Sequence, residues 1–369
     1  MSALQGTLLA VGAAPLPTVH GDFVAHHFHD LANGQPVLAV TIGALGGTEP
    51  VLARVHSSCI TSEAYGGCDC DCAEQLDAAL AHVASAGRGI VFYLAQEGRG
   101  FGFSAKARDR MLVQASRQRL TTFDAYAEMG LARDGRRYDQ VASACRLLGI
   151  AAPLRMITNN PEKLATLAAA GVRLDGTVTL AATTSPFNHH YLAAKSDSGH
   201  TLGRTGNVAA AELPEAVEAF TPHLVPGAPR FLRVASYLLP VRLRELAWFR
   251  LHLYFDREAG AERVVLTHGR TAEPLVRVQP EDVLERFPLR VPGGKRRWRA
   301  AAQAIVDHGG GCALFVHGAT EADPAALDLV SRHVDGARAR PVVDGTGAPA
   351  LVAAFAARGI AASPPLVLP

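Results

Sequence analysis

The stretch Gly89-Ile90-Val91-Phe92-Tyr93-Leu94-Ala95-Gln96-Glu97-Gly98-Arg99-Gly100 decides the fold class. Its first six residues form a short continuous apolar run, the pattern of a strand buried on both faces. A polar, glycine-rich loop follows at once, and α/β proteins place ligands at such strand ends. Upstream, Leu76, Ala79, Leu80 and Val83 recur at i, i+3, i+4, i+7, which predicts a helix over 73–86. Val51 to His56 reads as a further strand. Phe23 to Phe28 and Pro36 to Ile42 read as a hairpin turning at Asn33-Gly34. Downstream come helical patterns over 105–115 and 138–148, a strand at Arg155 to Ile157, and a helix over 161–170 with Pro161 in its first turn. The expected class is α/β, an α+β mixed sheet with flanking helices.

The chain has 369 residues, 49% of them apolar and 19% charged. That composition belongs to a folded protein, and that length to two domains or one domain repeated. Thirty-six Lys and Arg against 34 Asp and Glu leave a formal charge of +2, so no global field commits the protein to a nucleic acid polymer or an anionic membrane. No apolar run approaches the roughly 20 residues that span a bilayer, and the first residues lack the positive region of a signal peptide. A cytoplasmic location is expected. Four of the six cysteines, Cys59, Cys68, Cys70 and Cys72, lie close together, while Cys145 and Cys312 stand alone. In a reducing compartment such clustering points to metal or redox chemistry.

The opening pattern returns late in the chain. Phe23, His26, Phe28, Asp30, Gly34 and Gly43 reappear as Phe249, His252, Tyr254, Asp256, Gly260 and Gly269, all at an offset of 226. Leu16-Pro17 is echoed by Leu239-Pro240, Arg54-Val55 by Arg277-Val278, Gly87-x-Gly89 by Gly309-x-Gly311, and Pro161 through Gly171 by Pro349 through Gly359. The shared order predicts a duplicated unit. Between the copies the chain turns Ala-, Glu- and Pro-rich, as a linker with one short helix would be. The expected division is 1–202, a linker over 203–234, and 235–369.

Cys59-x10-Cys70-x-Cys72 offers three thiolates, too few to close a tetrahedral structural site. A fourth position left to water is what a catalytic Zn²⁺ needs, and the metal brings the pKa of that water from about 15.7 to about 7. A closed four-thiolate site recruiting Cys68, or an iron–sulfur cluster, is the alternative that spacing leaves open.

The residues around this cluster resemble the GTP cyclohydrolase II family, whose members open riboflavin synthesis. The resemblance rests on His56-Ser57-Ser58-Cys59-Ile60-Thr61, Cys70-Asp71-Cys72-x-Glu74-Gln75-Leu76 and Gln96-Glu97-Gly98-Arg99-Gly100-Phe101-Gly102. It continues through Gly130 to Arg136, Leu147 to Ile150, Thr158-Asn159-Asn160-Pro161-x-Lys163, Asn188 to Leu192 and Gly199-His200. It covers about residues 16 to 202 and implies that family's fold in the first half, with the second half a degenerate repeat. It also implies hydrolysis of GTP: pyrophosphate leaves, water attacks C8 of the guanine, and formate is released, giving a diaminopyrimidinone ribonucleotide 5'-phosphate. Carried over residue by residue, Cys59, Cys70 and Cys72 are the zinc ligands. Arg54 with the strand end Val55, His56, Ser57 and Ser58, then Gln75, Glu97, Gly98, Arg99, Thr122, Thr158 and Lys163, are the GTP contacts. Asp134 is the proton acceptor and Arg136 the residue proposed to attack the α-phosphate. One Zn²⁺ per chain and Mg²⁺ with the GTP phosphates are the expected cofactors, and the expected assembly is a homodimer or an intramolecular pseudo-dimer.

Three departures stand out. The family has a tyrosine two residues past an arginine in a Lys-x-Arg-x-Tyr run, and here that place falls on Arg110, or on Met111 if an insertion lies early. Tyr126 is distant and would have to fold back. A lost positioned hydroxyl is typically worth 10²–10⁴ in rate, enough to stall one step. Ring opening without deformylation, giving a formamidopyrimidine, is therefore an alternative product. Asp69 replaces an arginine before the ligand pair, where its charge should weaken phosphate attraction, and Cys68 is an additional thiol. In the second half, Gln279-Pro280-Glu281-Asp282 stands where His56 to Cys59 stood, and His317-Gly318-Ala319-Thr320 replaces the Gln-Glu-Gly-Arg loop. His252, His268, His308 and His317 each read as ordinary histidines. Two other functions stay open: action on another purine nucleotide in secondary metabolism, and a noncatalytic GTP-binding or regulatory role.

Overall fold

The first hairpin closes as its turn chemistry requires. Gly34 takes φ 68°, a conformation that favours glycine, and Asn33 Oδ1 accepts the Gln35 N–H at 2.9 Å. In the computed structural model, residues 3–197, 199, 208–291, 293–317, 324–344 and 348–368 are described. The first half builds a mixed sheet from β1 (Leu4–Gln5), β2 (Leu8–Thr18), β3 (Gly21–Asp30), β4 (Gln35–Ile42), β5 (Val51–Ser57), β6 (Gly89–Leu94), β7 (Leu154–Ile157) and β8 (Leu174–Val178). Their order is β1-β2-β3-β4-β6-β5-β7-β8. The apolar run Gly89 to Leu94 is β6, central and buried along its whole length. Around the sheet lie α1 (Ile60–Glu63), α2 (Cys72–Ser85), α3 (Phe103–Ala115), α4 (Thr122–Glu128), α5 (Asp139–Leu147), α6 (Pro161–Ala169) and α7 (His189–Asp197). Helix α2 buries Leu76, Ala79, Leu80 and Val83, the face its period predicted.

The second sheet contains β9 (His223–Val225), β10 (Ala228–Arg242), β11 (Leu246–Asp256), β12 (Ala261–Gly269), β13 (Leu275–Glu281), β14 (Gly310–His317), β15 (Arg338–Val343) and β16 (Ala361–Ala362), with β17 (Leu366–Val367) also on β15. Helices α8 (Gly294–Asp307), α9 (Pro324–Ser331) and α10 (Pro349–Ala357) flank it. Read from β9, its order is that of the first sheet, strand for strand. Registers agree too: Val24 faces Thr41 and Arg250 faces Thr267, while the bulge at Ala10/Gly12 recurs at Arg233/Ala235. Even buried polar contacts repeat. Arg54 and Arg277 each donate from Nη1 to the carbonyls of Ile157 and Val342 at 3.3 Å, and His26 and His252 each meet a threonine hydroxyl at 3.1 Å.

The fold is thus a mixed α/β one whose second sheet points to a duplicated domain. One local expectation needs correction. The stretch read as linker with a short helix carries β9 and the start of β10, and no helix is present among its described residues. Polar and proline residues masked a strand whose carbonyls and amides pair at the sheet edge.

The two halves meet about a local two-fold. Val19 N donates to Pro288 O (2.9 Å) and Arg290 N to Pro17 O (3.0 Å). The mirror contacts run from Arg242 N to Gly66 O (3.1 Å) and from Cys68 N to Pro240 O (2.9 Å). Phe287 packs on Tyr93 with ring centroids 5.3 Å apart, and Tyr65 packs on Phe315, the residue at the Tyr93 position of the second sheet, at 4.2 Å. One hydrophobic cluster spans the seam, joining Ile60, Tyr65, Phe103 and Met111 to Phe249, Trp298 and Phe315.

Candidate active site

The site forms where β5 and β6 end. Cys59 opens α1 just after β5, and Cys72 opens α2. Ser62 Oγ accepts the Ala73 N–H at 3.1 Å, which ties the two segments together. The result brings Cys59, Cys70 and Cys72 into one group whose sulfurs all lie within 4.8 Å of one another, Cys59 and Cys70 at 3.5 Å. Thiolates on a tetrahedral zinc, with Zn–S about 2.3 Å, stand roughly 3.8 Å apart. The trio therefore fits such an ion. None of the three is in a disulfide, and Lys106 Nζ lies 3.0 Å from Cys59 Sγ, where its charge favours a thiolate. Cys68 does not join them: its thiol turns to the Pro240 carbonyl of the second half at 3.4 Å. Among the described residues no other group of three or more His, Cys, Asp and Glu gathers this closely.

Beside the thiols lies a cationic cleft. Arg54, Arg99, Arg136 and Lys163 line it, with Val55, His56, Ser57, Gln75 and Thr158 on its walls. Asn160 caps α6 through its side chain, accepting from the Glu162 and Lys163 amides, and so sets Lys163 in the first turn. Burial, then Arg136 and Arg54, hold the Lys163 ammonium well below its usual pKa, and burial pushes Arg54 down to about 10. Several cations confined together in this way favour an anion among them. Burial likewise lowers the pKa of His56, against the opposing Glu63 carboxylate.

The adjoining lobe holds Ser58, Cys59, Cys70, Glu97, Gly98, Thr122 and Arg110. Cys72, Arg99, Arg136, Ser57 and Tyr191 line both lobes, so thiols and cations share one space. Gly98 and Gly100 take φ 57° and 89°, and a Cβ on Gly100 would stand 2.8 Å from the Gly135 backbone. This close approach lets Gly135 N donate to Arg99 O at 2.9 Å. Gln96 clamps the same loop, its Oε1 accepting the Arg137 N–H at 3.0 Å. Asp134 and Arg136 are thereby presented together, Arg136 Nε donating to both Asp134 oxygens at 2.9 and 3.0 Å. Asp134 stands behind Arg136 and lines neither lobe. Thr122 opens α4 after a Thr121–Asp124 capping box, and its hydroxyl donates to Asp109 at 2.9 Å. Glu97 accepts from Lys106 at 2.6 Å and from the Ile60 N–H at 2.9 Å.

Of the two residues offered for the family tyrosine position, Arg110 faces the site, whereas Met111 is fully buried in the seam cluster. Arg110 pairs with Asp69 at 3.1 Å. The charge expected to weaken phosphate attraction is thus neutralised locally. Tyr126 does fold back into this lobe, and Tyr191 joins it from α7. Sequence reasoning gave no role to Lys195, which lines the cleft and donates to Asp71 at 2.8 Å, or to Glu63 and Lys106. For Lys195 the available signal was its i+4 spacing from Tyr191. Gly199 lies in a turn; His200, and the loop Gly318 to Thr320 with the His317 side chain, lie outside the described residues. In the second half, the His252 and His333 rings pack with centroids 4.5 Å apart and planes tilted by 43°, and His268 and His308 bond to the carbonyls of Trp248 and Glu273.

A sequence model of the family "GTP cyclohydrolase II" matches residues 10–179. The chain is 43% identical over 196 residues to the GTP cyclohydrolase-2 of Cronobacter sakazakii, a match covering 53% of this chain and 98% of that protein. To its counterparts from Escherichia fergusonii and Salmonella typhimurium it is 42% and 41% identical, over 54% and 53% of this chain and 98% and 99% of theirs. Nearly the whole length of these relatives is therefore matched by about half of this chain, and the family model lies in the half that carries the thiols. No helix among the described residues is long and apolar enough to cross a membrane. Members of this family are hydrolases that act on GTP in riboflavin synthesis, and with its thiol trio, its cation cleft and these relatives, the chain belongs to the GTP cyclohydrolase II family.

Proposed function

We propose that the protein is a zinc-dependent hydrolase of GTP that opens the imidazole ring at C8 and expels pyrophosphate. The observation that carries this reading is the shared space: the three thiols and the cations Arg54, Arg99, Arg136, Lys163 and Lys195 border one two-lobed cleft. A mere binder of GTP has no use for three thiols beside the base. Held by Cys59, Cys70 and Cys72, zinc would supply the Lewis acidity that makes water a nucleophile near neutral pH.

The protein's own groups divide the remaining work. The cations neutralise the triphosphate, which enters with Mg²⁺, and fix it against the Thr158 and Ser57 end of the cleft. Asp134 orients the Arg136 guanidinium toward the α-phosphate and can take up a proton released there. Glu97 keeps lone pairs free beyond those given to Lys106 and Ile60, enough to accept from guanine N1–H and the 2-amino group. Residues 1–202 form the catalytic unit and the second half a tandem copy without zinc ligands, packed as the second subunit of a pseudo-dimer.

A second reading of the product is favoured by one residue. Arg110 stands where the family has its phenol, and Asp69 occupies its guanidinium. Ring opening without loss of the formyl group, as a secondary pathway could use, is then the outcome unless Tyr126 or Tyr191 replaces that phenol. Metal analysis and mass spectrometry of the products after incubation with GTP separate these cases. One zinc per chain, pyrophosphate and a ring-opened ribonucleotide are expected. Stoichiometric free formate would sink formyl retention, and intact GTP with bound zinc would leave a noncatalytic GTP-binding protein.

A further inference from the structure

The two-fold seam is symmetric in its backbone contacts but not in its polar side chains. From the second half, Arg286 reaches across and donates from Nη1 to the Tyr93 hydroxyl at 3.0 Å. A phenol oxygen that accepts there must turn its hydrogen elsewhere, and the Tyr93 O–H donates to Glu63 Oε2 at 2.6 Å. The other oxygen, Glu63 Oε1, meets His56 Nε2 at 2.7 Å and accepts the Cys59 N–H at 3.0 Å. Glu63, His56 and Tyr93 are each at most 3% exposed. Behind the guanidinium, Glu281 accepts from Arg286 Nε at 2.5 Å and from Nη2 at 3.0 Å, so the arginine is held as well as holding. Among the described residues no such arm runs the other way. Phe287 corresponds to Tyr65 across the seam, so the residue before it, Arg286, stands opposite Ala64, which has no donor to offer.

We propose that Arg286 is a positioning residue supplied by the metal-free half, which fixes the metal-ligand turn of the catalytic half through Tyr93 and Glu63. The chain of contacts ends on the main chain of Cys59 and on the ring of His56, one at the thiol trio and one on the wall of the cation cleft. Glu63 accepts three hydrogen bonds in a dry site, and losing the Arg286 donor frees the phenol to rotate away from it. Partners one step behind metal ligands, the place Glu63 holds, typically matter about 10–100-fold in metal affinity or turnover, and Arg286 acts through Glu63 at two further contacts. The second half, on this account, contributes to the site a group that no homologous position of the first half could supply.

This inference rests on the zinc reading above, and the experiment separates the two. The full-length protein is loaded with zinc, and the rate of zinc transfer to a chromogenic chelator is measured for the wild type, Arg286→Ala, Arg286→Lys and Tyr93→Phe, with kcat and KM for GTP and the melting temperature alongside. A wild type that takes up no zinc overturns the metal centre itself. With zinc bound, Arg286→Ala, two contacts behind the Glu63 that touches Cys59, is expected to lose it up to about 10-fold faster and to lower kcat with KM for GTP little moved, since Arg286 does not line the cation cleft. Arg286→Lys, which keeps one donor for the phenol, recovers most of the loss. Tyr93→Phe reproduces the defect, and the double variant is no worse than either single one. Zinc transfer at the wild-type rate in Arg286→Ala overturns the proposal, even if the melting temperature falls. Should Arg286→Ala not fold, Arg286→Lys and Tyr93→Phe decide it by the same readout.

Discussion

Asp69 and Arg110 depart from the family pattern at two places 41 residues apart, and along the sequence nothing relates them. In the folded protein they are one feature: an ion pair at 3.1 Å, each side chain about a tenth exposed, with the guanidinium 4.8 Å above the Tyr191 ring. A pair this enclosed is weak as a source of stability but costly to halve, because the remaining charge is stranded. Asp69→Ala and Arg110→Ala should each destabilise by about 3–5 kcal/mol, and the double variant by less than their sum, by about 1–3 kcal/mol. Chemical denaturation of the four proteins reads the coupling, and simple additivity would show that the pair is not one. A second residue-scale expectation concerns acid. His333 is packed against His252, shares a hydrogen bond with the Tyr254 hydroxyl at 2.9 Å, and is held at a pKa of about 4 by burial and by Arg233, with Asp335 opposing. Its folded pKa lies below the unfolded value near 6.5, so the unfolded chain binds the extra proton first, and stability falls as pH drops from about 6.5 to about 4. His333→Gln, which keeps an acceptor for Tyr254, should flatten the decline of melting temperature with acid over that window; an unchanged pH profile would count against it.

Helices and strands with a clean period were legible, and those without one were not. The apolar run of β6 and the four-residue face of α2 announced themselves, whereas β2 holds Gly12, Pro15 and Pro17 and exposes most of its residues, so no alternation marks it. Helix α4 has only seven residues and is set by its capping box rather than by an apolar stripe. The element with most bearing on function is α7. Its motif residues Asn188 to Leu192 could be quoted from the sequence, but the consequence of their being helical could not: Tyr191 and Lys195 fall on one face, with the Lys195 ammonium 4.5 Å above the phenol ring and bonded to Asp71 between two of the thiols. A fifth cation is thus delivered to the cleft by an element that sequence reasoning left without a role. Lys195→Met should raise KM for GTP about 10–100-fold, the worth of one charge-assisted hydrogen bond to phosphate, and change kcat less. Steady-state kinetics decide it, and a KM within twofold of wild type would remove Lys195 from the substrate contacts.

At the scale of the molecule the near-zero net charge concealed a local field, and the offset of 226 announced a repeat, but neither said how the copies meet. Their meeting depends on backbone groups of Pro17, Gly66, Pro240 and Pro288, whose pairing no residue type encodes, and on aromatic rings brought together only by the fold. What results is an isologous contact made inside one chain: each half offers the other the same turn and the same strand end. That surface is then already spent. The full-length protein should therefore behave as a monomer of 38.9 kDa in equilibrium sedimentation, with no further copy needed to complete the site. Cutting the chain after residue 202 tests the same argument from the other side. It would bare Ile60, Tyr65, Phe103 and Met111, all buried against the second half, next to the turn that carries Cys59. Apolar patches of that kind drive association. The fragment should self-associate or unfold, and should release zinc faster than the whole chain. A monodisperse monomeric fragment with undiminished zinc retention would mean that the second half is a passenger, and that the seam, for all its symmetry, stabilises nothing the chemistry requires.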